Sequence, residues 1–281
     1  MESSKKKYDL HCHSTASDGE LSPRDLVFRA KDYAVDVLSL TDHDTTAGLE
    51  EAQTAADEVG IKLIHGIELS VRWKQEQLHI LGLNIDKDHA AMKRGVRIQQ
   101  ETRLTRTELM ASRLERMGVA GALEGGRKES GCEVVGRRHF ANFLVSEGYA
   151  SDFKDVFARF IGDRCPAYVE QRWTSLENAI EWIDQSGGVA VIAHPSSYGF
   201  PKGQQRDMAA CFKQAGGKAI EVSYGNCGSG VIQRNCSLAN RYGLSVSMGS
   251  DFHSPKGSWN QLGRAELPPE NFPKVWEEEG W

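Results

Sequence analysis

The sequence contains no apolar run of about 18 residues, the length that a membrane-spanning helix needs. Its first seven residues, MESSKKK, also lack the apolar segment of a secretory signal, so we expect a cytoplasmic protein without a membrane partner. The six cysteines include no Cys-x-x-Cys pair and no spacing typical of a disulfide framework, which indicates reduced thiols. A net charge of −5 argues against broad electrostatic binding to long nucleic acids but allows a local basic pocket.

The sequence does have the composition of a globular enzyme, with 40% hydrophobic and 26% charged residues in a chain of 281. Strand-like and helix-like segments alternate along most of its length. This alternation predicts an α/β barrel with its functional site at the carboxyl ends of the strands. The predicted strands cover seven runs: residues 8–14, 37–42, 63–69, 77–83, 189–194, 219–224 and 245–250.

Four helices are predicted between these strands. Ser22 as N-cap and Pro23 at the first helical position begin the helix that ends near Tyr33. The other three are a helix that ends near Val59 and helices over residues 175–186 and 208–215.

The alternation breaks between residues 92 and 171. A long helix over 91–117 is followed there by a glycine-rich stretch, 121–131, and by shorter helical pieces. We therefore expect residues 1–91 and 172–281 to form the barrel. Residues 92–171 are expected to form a helical insertion domain that covers the active-site mouth.

The most informative motif is a pair of histidines, His11 and His13, in a predicted strand. Alternate residues of a strand face the same side, so the two imidazoles project together while Cys12 points away. Two neutral imidazoles side by side at the end of a strand are suited to binding one metal ion.

Further imidazoles and carboxylates follow the later predicted strands. Gathered at one rim, such groups would be costly to desolvate without cations. Mixed nitrogen and oxygen ligands with a bridging carboxylate would hold two or three divalent ions and leave positions open for water. Asp42 and Asp44 flank one of these histidines and are expected to orient it. The nine candidate ligands are His11, His13, Asp18, His43, Glu68, His79, His194, Asp251 and His253.

These motifs resemble those of the PHP (polymerase and histidinol phosphatase) superfamily of metal-dependent phosphoesterases. The segments Asp-Leu-His-Cys-His-Ser, Leu-Thr-Asp-His-Asp-Thr, Gly-Ile-Glu, Ala-His-Pro and Gly-Ser-Asp-Phe-His match in order, over nearly the whole chain. The resemblance implies a distorted (β/α)7 barrel with a trinuclear site. It also implies manganese as the metal, with iron and zinc as alternatives.

The resemblance further implies how the ligands are shared among three ions. It makes Glu68 a bridge between two of them, and it makes Glu68, His194 and Asp251 the candidate catalytic residues. The implied sets are His11, His13, Glu68 and Asp251 for one ion, Glu68, His79 and His194 for the second, and Asp18, His43 and His253 for the third.

Within the superfamily, the chain is most similar to the 3′,5′-nucleoside bisphosphate phosphatases, also described as 5′→3′ exoribonucleases acting on short RNA. The segments Ala-Ser-Asp-Gly near the start and Arg-Arg-His-Phe-Ala in the insertion carry this similarity. It implies that Arg103, Arg106, Arg137 and His139 bind a 5′-phosphate and that the P–O3′ bond of that nucleotide breaks. The implied partners are a nucleoside bisphosphate and short 5′-phosphorylated RNA, with no obligate protein partner.

Alternatives remain open at this point. The arginines of a mixed-charge helix are usually solvated, and His139 could be a structural imidazole. A histidinol-phosphate phosphatase would use the same metals with different substrate residues. An amidohydrolase would use a modified lysine as bridge, but no lysine ends a predicted strand. A non-catalytic nucleotide-binding module would be expected to have lost metal ligands.

Overall fold

A computed structural model describes residues 6–130, 135–170, 172–256 and 260–281. Cys132 and residue 171, the predicted end of the insertion, lie outside these described residues. The chain divides into two compact units. The first unit comprises Met1–Val96 and Thr174–Trp281, and the second comprises Arg97–Trp173.

The first unit is built on a mixed sheet, and its strands confirm the predicted α/β barrel. The sheet order is β1-β2-β3-β4-β6-β7-β8, with β5 paired to β3. Within the described residues the strands are β1 (Tyr8–Cys12), β2 (Val37–Leu40), β3 (Lys62–Trp73), β4 (Glu76–Leu83), β5 (Thr174–Ser175), β6 (Val189–Ile192), β7 (Ala219–Tyr224) and β8 (Ser245–Gly249).

The sheet curls until its first and last strands meet. The His13 N–H donates to the Phe252 carbonyl over 2.9 Å, and the Asp251 N–H donates to the His11 carbonyl over 2.8 Å. These bonds nearly close the barrel and bring the two ends of the sheet to one place.

The barrel is distorted because β4 runs antiparallel to both of its neighbours, β3 and β6. β3 and β4 form a hairpin through Lys74, whose φ of 55° allows the tight reversal. Since β4 runs backwards, its early residues lie beside the later residues of β3. The hairpin replaces a helical crossover, so β3 and β4 are the one consecutive pair of barrel strands joined without a helix in the described part of the chain.

Helices flank this sheet. Ser22 caps α1 as predicted, and Ser175 caps α7 in the same way, since each side chain accepts a hydrogen bond from the backbone N–H three residues on. α9 was not predicted, because polar residues interrupt the apolar stripe that it buries. The helices of this unit are α1 (Pro23–Asp32), α2 (Leu49–Val59), α7 (Leu176–Gln185), α8 (Lys202–Gln214), α9 (Ser229–Tyr242) and α10 (Val275–Glu278), and the first turns of α3 also belong to it.

The second unit is helical and has its own apolar core, which includes Met110, Leu114, Phe140 and Leu144. The predicted long helix is observed as α3. It is followed by α4 (Ala122–Ser130), α5 (Arg137–Ser146), α6 (Phe153–Val156) and a π-helical turn over Phe157–Ile161; α3 itself covers Ala90–Arg116.

The glycine-rich stretch of this unit forms α4. Glycine is unfavourable inside a helix, but here it permits close packing. A Cβ at Gly125 would lie 2.1 Å from the Phe143 ring, and one at Gly126 would lie 3.0 Å from the Phe140 ring. The glycines therefore let α5 pack directly against the backbone of α4.

None of the helices formed by the described residues is both long and apolar enough to cross a membrane.

Gly249→Ala tests the contact between β8 and β1. A Cβ at Gly249 would lie 2.3 Å from the His11 Cβ and 2.6 Å from the His11 nitrogen. We expect the free energy of unfolding, measured by urea titration, to fall by about 1–3 kcal/mol. Gly203→Ala in α8 is the matched control, because nothing lies within 4 Å of its added Cβ. That variant should be unchanged or more stable by about 0.4–1 kcal/mol, and an equal loss in both would contradict the packing argument.

Candidate metal centre

All nine candidate ligands lie in one cluster at a single end of the barrel. They come from the ends of β1, β2, β6 and β8, from within β3 and β4, and from the loop after β1. His79 lies early in its strand, but the antiparallel direction of β4 still places it beside Glu68 and His43. The antiparallel direction of β4, which distorts the barrel, therefore places His79 in the cluster.

Glu68 is at the centre of the cluster and has no solvent exposure. Its two oxygens face five imidazoles at 3.0 to 3.4 Å. Oε1 lies 3.0 Å from His194 Nε2 and 3.1 Å from His79 Nδ1. Oε2 lies near His43 Nδ1 at 3.0 Å, His13 Nε2 at 3.2 Å and His11 Nε2 at 3.4 Å.

Two further carboxylates flank this centre. Asp251 Oδ1 lies 3.4 Å from Nε2 of both His11 and His13. Asp18 Oδ1 lies 3.4 Å from His253 Nε2. With ligand atoms within 4.8 Å of one another, the residues form four overlapping groups: His13, Asp18, His43 and His253; His11, Glu68 and His194; His11, His13 and Asp251; and His43, Glu68 and His79.

These groups place Asp18, His43 and His253 together, as the ligand assignment for the third ion requires. His79 and His194 fall in different groups, although both face the same oxygen of Glu68. The division of ligands among individual ions stays a prediction.

The cluster fits divalent cations because several of its buried polar atoms face one another at short distance without the geometry of a hydrogen bond. A buried unpaired polar atom normally costs about 1–3 kcal/mol, so a group of them indicates a missing ligand. In addition, His11 Nε2 and His13 Nε2 lie only 3.1 Å apart, as two ligands of one ion would. The unpartnered atoms are His13 Nδ1, Asp18 Oδ1, His43 Nδ1, Glu68 Oε2 and His79 Nδ1.

The histidines keep the central carboxylate ionised. Burial disfavours the charged form of Glu68, but His43, His79 and His11 outweigh it and hold the pKa of this carboxyl well below its ordinary value. An ionised, buried carboxylate with two available oxygens is a suitable bridge between cations.

Nearby carboxylates raise the pKa of three of these imidazoles, His11, His194 and His253, in the metal-free protein. Burial disfavours the charge on His253, but Asp18 and then Asp251 raise its pKa to about 9. Protons and cations therefore compete for the same nitrogens.

Three residues of the cluster region adopt positive φ angles although they are not glycines. φ is 30° at His194, 51° at Asp251 and 54° at Asp44. Such conformations are rare for residues with a side chain and occur most often at functional sites. Two of the three are candidate ligands.

Sequence analysis did not identify two buried carboxylates, Asp9 and Glu221, that hold ligand-bearing segments. Asp9 accepts hydrogen bonds of 2.8 Å from the backbone N–H groups of Ser250 and Gly263. Glu221 bonds to His11. The available signal was an acidic residue inside a buried strand, where an unpaired charge would be costly.

Asp42 and Asp44 hold neighbouring backbone, while their expected role in orienting His43 stays a prediction. Asp42 accepts hydrogen bonds from the N–H and Oγ of Ser14. Asp44 accepts one from the Ser70 N–H over 2.7 Å and donates its own N–H to the Glu68 carbonyl. These bonds fix the loop after β1 and the middle of β3.

A cavity of about 290 Å³ adjoins the cluster within the first unit. Its lining combines two candidate ligands with uncharged polar groups: His194, Asp251, Ser197, Tyr224, Asn226 and Asn260.

The predicted phosphate-binding arginines lie in the second unit. Arg106 is only 8% exposed, and its Nε and Nη2 atoms have no hydrogen-bond partner. Burial, with the charges of Arg137 and Arg103, lowers the pKa of Arg106 to about 9. The mixed-charge pattern of α3 had left a solvated arginine as the alternative, and for Arg106 that alternative is wrong.

His139 has a structural contact. Its Nδ1 accepts the backbone N–H of Gly136 over 3.1 Å, which caps the beginning of α5. Nδ1 of this imidazole is therefore engaged within the protein.

Comparison with known proteins places this geometry in a family. The family model for the PHP domain matches residues 9–117. The chain is 42% identical to a 5′-3′ exoribonuclease of Haemophilus influenzae, over 97% of this chain and 98% of that protein. It is 40% identical to a 3′,5′-nucleoside bisphosphate phosphatase of Chromobacterium violaceum, over 96% and 95% of the two chains. The chain belongs to the PHP family.

Two solved structures are similar to this PHP protein over nearly its whole length. One, from C. violaceum, is called an amidohydrolase and holds sulfate; it has a TM-score of 0.90, 39% identity and coverage of 97% and 95%. The other, a metal-dependent phosphoesterase from Bifidobacterium adolescentis, has a TM-score of 0.78, 28% identity and coverage of 98% and 95%. Both similarities extend through the second unit of the PHP protein.

Metal binding to the PHP cluster should stabilise the fold in a pH-dependent way. Manganese added to protein stripped with EDTA should raise the thermal unfolding midpoint, by mass action. The rise should be larger at pH 8 than at pH 6, because fewer protons then compete for histidines such as His253. The stability of the metal-free protein also contributes to this difference. Its stabilisation from protonated His253 is complete below pH 6.5 and is lost as the pH rises through about 9, so the metal-free unfolding midpoint is lower at pH 8.

Differential scanning fluorimetry measures this shift. Glu68→Gln should reduce it strongly, whereas Glu181→Gln, on the exposed face of α7, should not. A shift that is independent of pH, or equal in both variants, would contradict the assigned cluster.

Proposed function

We propose that this protein is a metal-dependent phosphoesterase that removes the 3′-phosphate of 3′,5′-nucleoside bisphosphates. By the same P–O3′ cleavage it would release 5′-mononucleotides from short 5′-phosphorylated RNA. The observation that carries the proposal is the cluster of nine imidazole and carboxylate ligands around buried Glu68.

The ligands suit two or three divalent ions, manganese first and iron or zinc as alternatives. When bound, such ions activate water and neutralise the oxygens of a phosphate. Glu68 would hold ions through both of its oxygens, with His194 beside Oε1 and Asp251 at the neighbouring edge of the cluster. These three residues are our candidates for the catalytic machinery.

The second unit supplies a site for the 5′-phosphate. Arg106 is a buried cation with unpaired donors, and Arg103 and Arg137 are close enough to lower its pKa. Burying a positive charge without a hydrogen-bond partner is unfavourable, so an anion bound to the free donors of Arg106 would relieve this cost. Guanidinium groups bind phosphate with paired hydrogen bonds. His139 stays a candidate contact of this phosphate.

One chemical step then accounts for both substrates. Water adds its oxygen to the 3′-phosphorus, the P–O3′ bond breaks, and the O3′ atom leaves with a proton. A bisphosphate gives a 5′-nucleotide and phosphate. RNA gives a 5′-nucleotide and a chain shortened by one, which again begins with a 5′-phosphate.

The relatives support this assignment. Proteins named for the exoribonuclease and for the bisphosphate phosphatase are similar to this chain to nearly the same degree, at 42% and 40% identity. The C. violaceum structure holds sulfate, a tetrahedral anion like phosphate. The amidohydrolase name of that structure is not carried over to this chain, because the candidate bridging group here is the carboxylate of Glu68 and no lysine ends a predicted strand. A histidine or a carboxylate residue stands at all nine candidate ligand positions, whereas a non-catalytic module would be expected to have lost some of them.

Product analysis tests the proposed reaction. The manganese-loaded protein should convert 3′-phosphoadenosine 5′-phosphate to AMP and phosphate, and 5′-phosphorylated RNA to 5′-mononucleotides. Glu68→Ala should abolish both activities because the shared ligand is lost. If the protein cleaves histidinol phosphate but neither of these substrates, the metal site of the proposal stands and its substrate assignment is wrong.

Arg106→Met tests the phosphate site separately from the metals. The kcat/KM for 3′-phosphoadenosine 5′-phosphate should fall about 10- to 100-fold, since charged hydrogen bonds contribute roughly 1.5–3 kcal/mol. Hydrolysis of p-nitrophenyl phosphate, which has no second phosphate, should change little. The unfolding midpoint without anions should not fall, because a buried unpaired charge is removed.

Arg116→Met, at an exposed position of the same helix, is the control and should leave both activities unchanged. Equal losses on the two substrates in Arg106→Met would make this arginine structural.

A further inference from the structure

Glu221 lies in the middle of β7 and has no solvent exposure. Both of its oxygens are within hydrogen-bond distance of His11 Nδ1, at 3.1 Å for Oε1 and 3.3 Å for Oε2. Its Oε2 also accepts the backbone N–H of His194 over 2.7 Å. One buried carboxylate from β7 therefore contacts two candidate ligands, which belong to β1 and to the end of β6.

The contact with His11 determines which ring nitrogen can bind a metal. A carboxylate only accepts hydrogen bonds, so His11 must donate its Nδ1–H to Glu221. In the neutral imidazole this leaves a lone pair on Nε2. That atom is the one that faces the cluster, 3.4 Å from Glu68 Oε2 and 3.4 Å from Asp251 Oδ1.

The contact with His194 acts on the backbone. His194 has a φ of 30°, which a residue with a side chain adopts only when surrounding structure enforces it. A charged acceptor at 2.7 Å from its N–H supplies that restraint. The same conformation directs His194 Nε2 toward Glu68 Oε1, 3.0 Å away.

The ring of His194 is fixed from its other side. The Ser197 hydroxyl donates its single hydrogen to the His194 carbonyl over 2.7 Å. It also lies 2.8 Å from His194 Nδ1, and in that contact the hydroxyl oxygen can only accept a hydrogen bond. His194 therefore also carries its proton on Nδ1 and presents Nε2 to Glu68. Both ligands need the backbone and side-chain geometry that Glu221 restrains.

We propose that Glu221 is a positioning residue of the metal centre, which selects the Nδ1–H tautomer of His11 and holds the strained backbone of His194. It is not itself a ligand. Such carboxylate–histidine contacts typically change metal affinity about 10- to 100-fold when removed. The inference rests on the metal centre of the proposed function and does not depend on the substrate.

Glu221→Gln is the sharpest substitution, because it keeps the shape and replaces one acceptor by an NH₂ donor. The backbone N–H of His194 cannot change, so it keeps the amide oxygen. The NH₂ group then faces His11 Nδ1, which must become an acceptor and move its proton to Nε2. That proton points at Glu68 and Asp251 and blocks the position of the metal.

Zinc is the probe, because it is diamagnetic. Competition with a chromophoric chelator should show Zn²⁺ binding about 10- to 100-fold weaker in Glu221→Gln than in wild type. The ¹⁵N resonances of the zinc-loaded protein, assigned with a His11→Asn variant, should show His11 protonated at Nδ1 in wild type. Glu181→Gln makes the same chemical change on the exposed face of α7 and should alter neither readout.

Each other outcome has a definite meaning. A purely structural Glu221 would lower the unfolding midpoint in EDTA while zinc affinity and tautomer stay unchanged, and this result overturns the proposal. If the variant does not fold, the wild-type spectrum still decides, since a zinc-loaded His11 protonated at Nε2 also overturns it. Failure of wild type to bind zinc, manganese or iron would refute the metal centre itself, which is a different result.

Discussion

Mutual charge compensation between one buried carboxylate and five imidazoles is the interaction on which the rest of the site depends. Burial alone raises the pKa of the Glu68 carboxyl, and the imidazoles beside it bring that pKa well below its ordinary value. Packed together they keep the carboxylate ionised, yet several atoms stay unpartnered, so the balance is incomplete without cations. The unpartnered atoms lower the stability of the metal-free protein, but the same atoms are the ones that would bind the cations.

A second layer of buried carboxylates makes the arrangement rigid. Asp9, Asp42, Asp44 and Glu221 each accept hydrogen bonds from the backbone of segments that carry ligands. They hold positive φ angles that isolated segments would not adopt. The ligand geometry is thus specified mainly by contacts between strands that are far apart in the chain, with local conformation following from them.

Local signals were sufficient for much of the fold, whereas the remaining features depend on distant contacts. The cap at Ser22, the strand positions and the ligand motifs could be predicted, because each depends on neighbouring residues. The reversal of β4 depends on its pairing with β6, more than 100 residues later. Glu221 has an identifiable partner only when His11, 210 residues away, is placed beside it. The burial of Arg106 is equally invisible in a helix whose charge pattern is typical of a solvated surface.

The meeting of β1 with β8 sets an order of events during synthesis. Asp251 bonds to His11 across nearly the whole chain, and Asp251 and His253 follow the last strand. A ribosome-bound chain that has not yet released β8 holds seven of the nine ligands on a sheet that is still open. The full set of nine candidate ligands therefore comes together only when β8 and the residues after it have met β1, so a chain that ends before this point lacks Asp251 and His253.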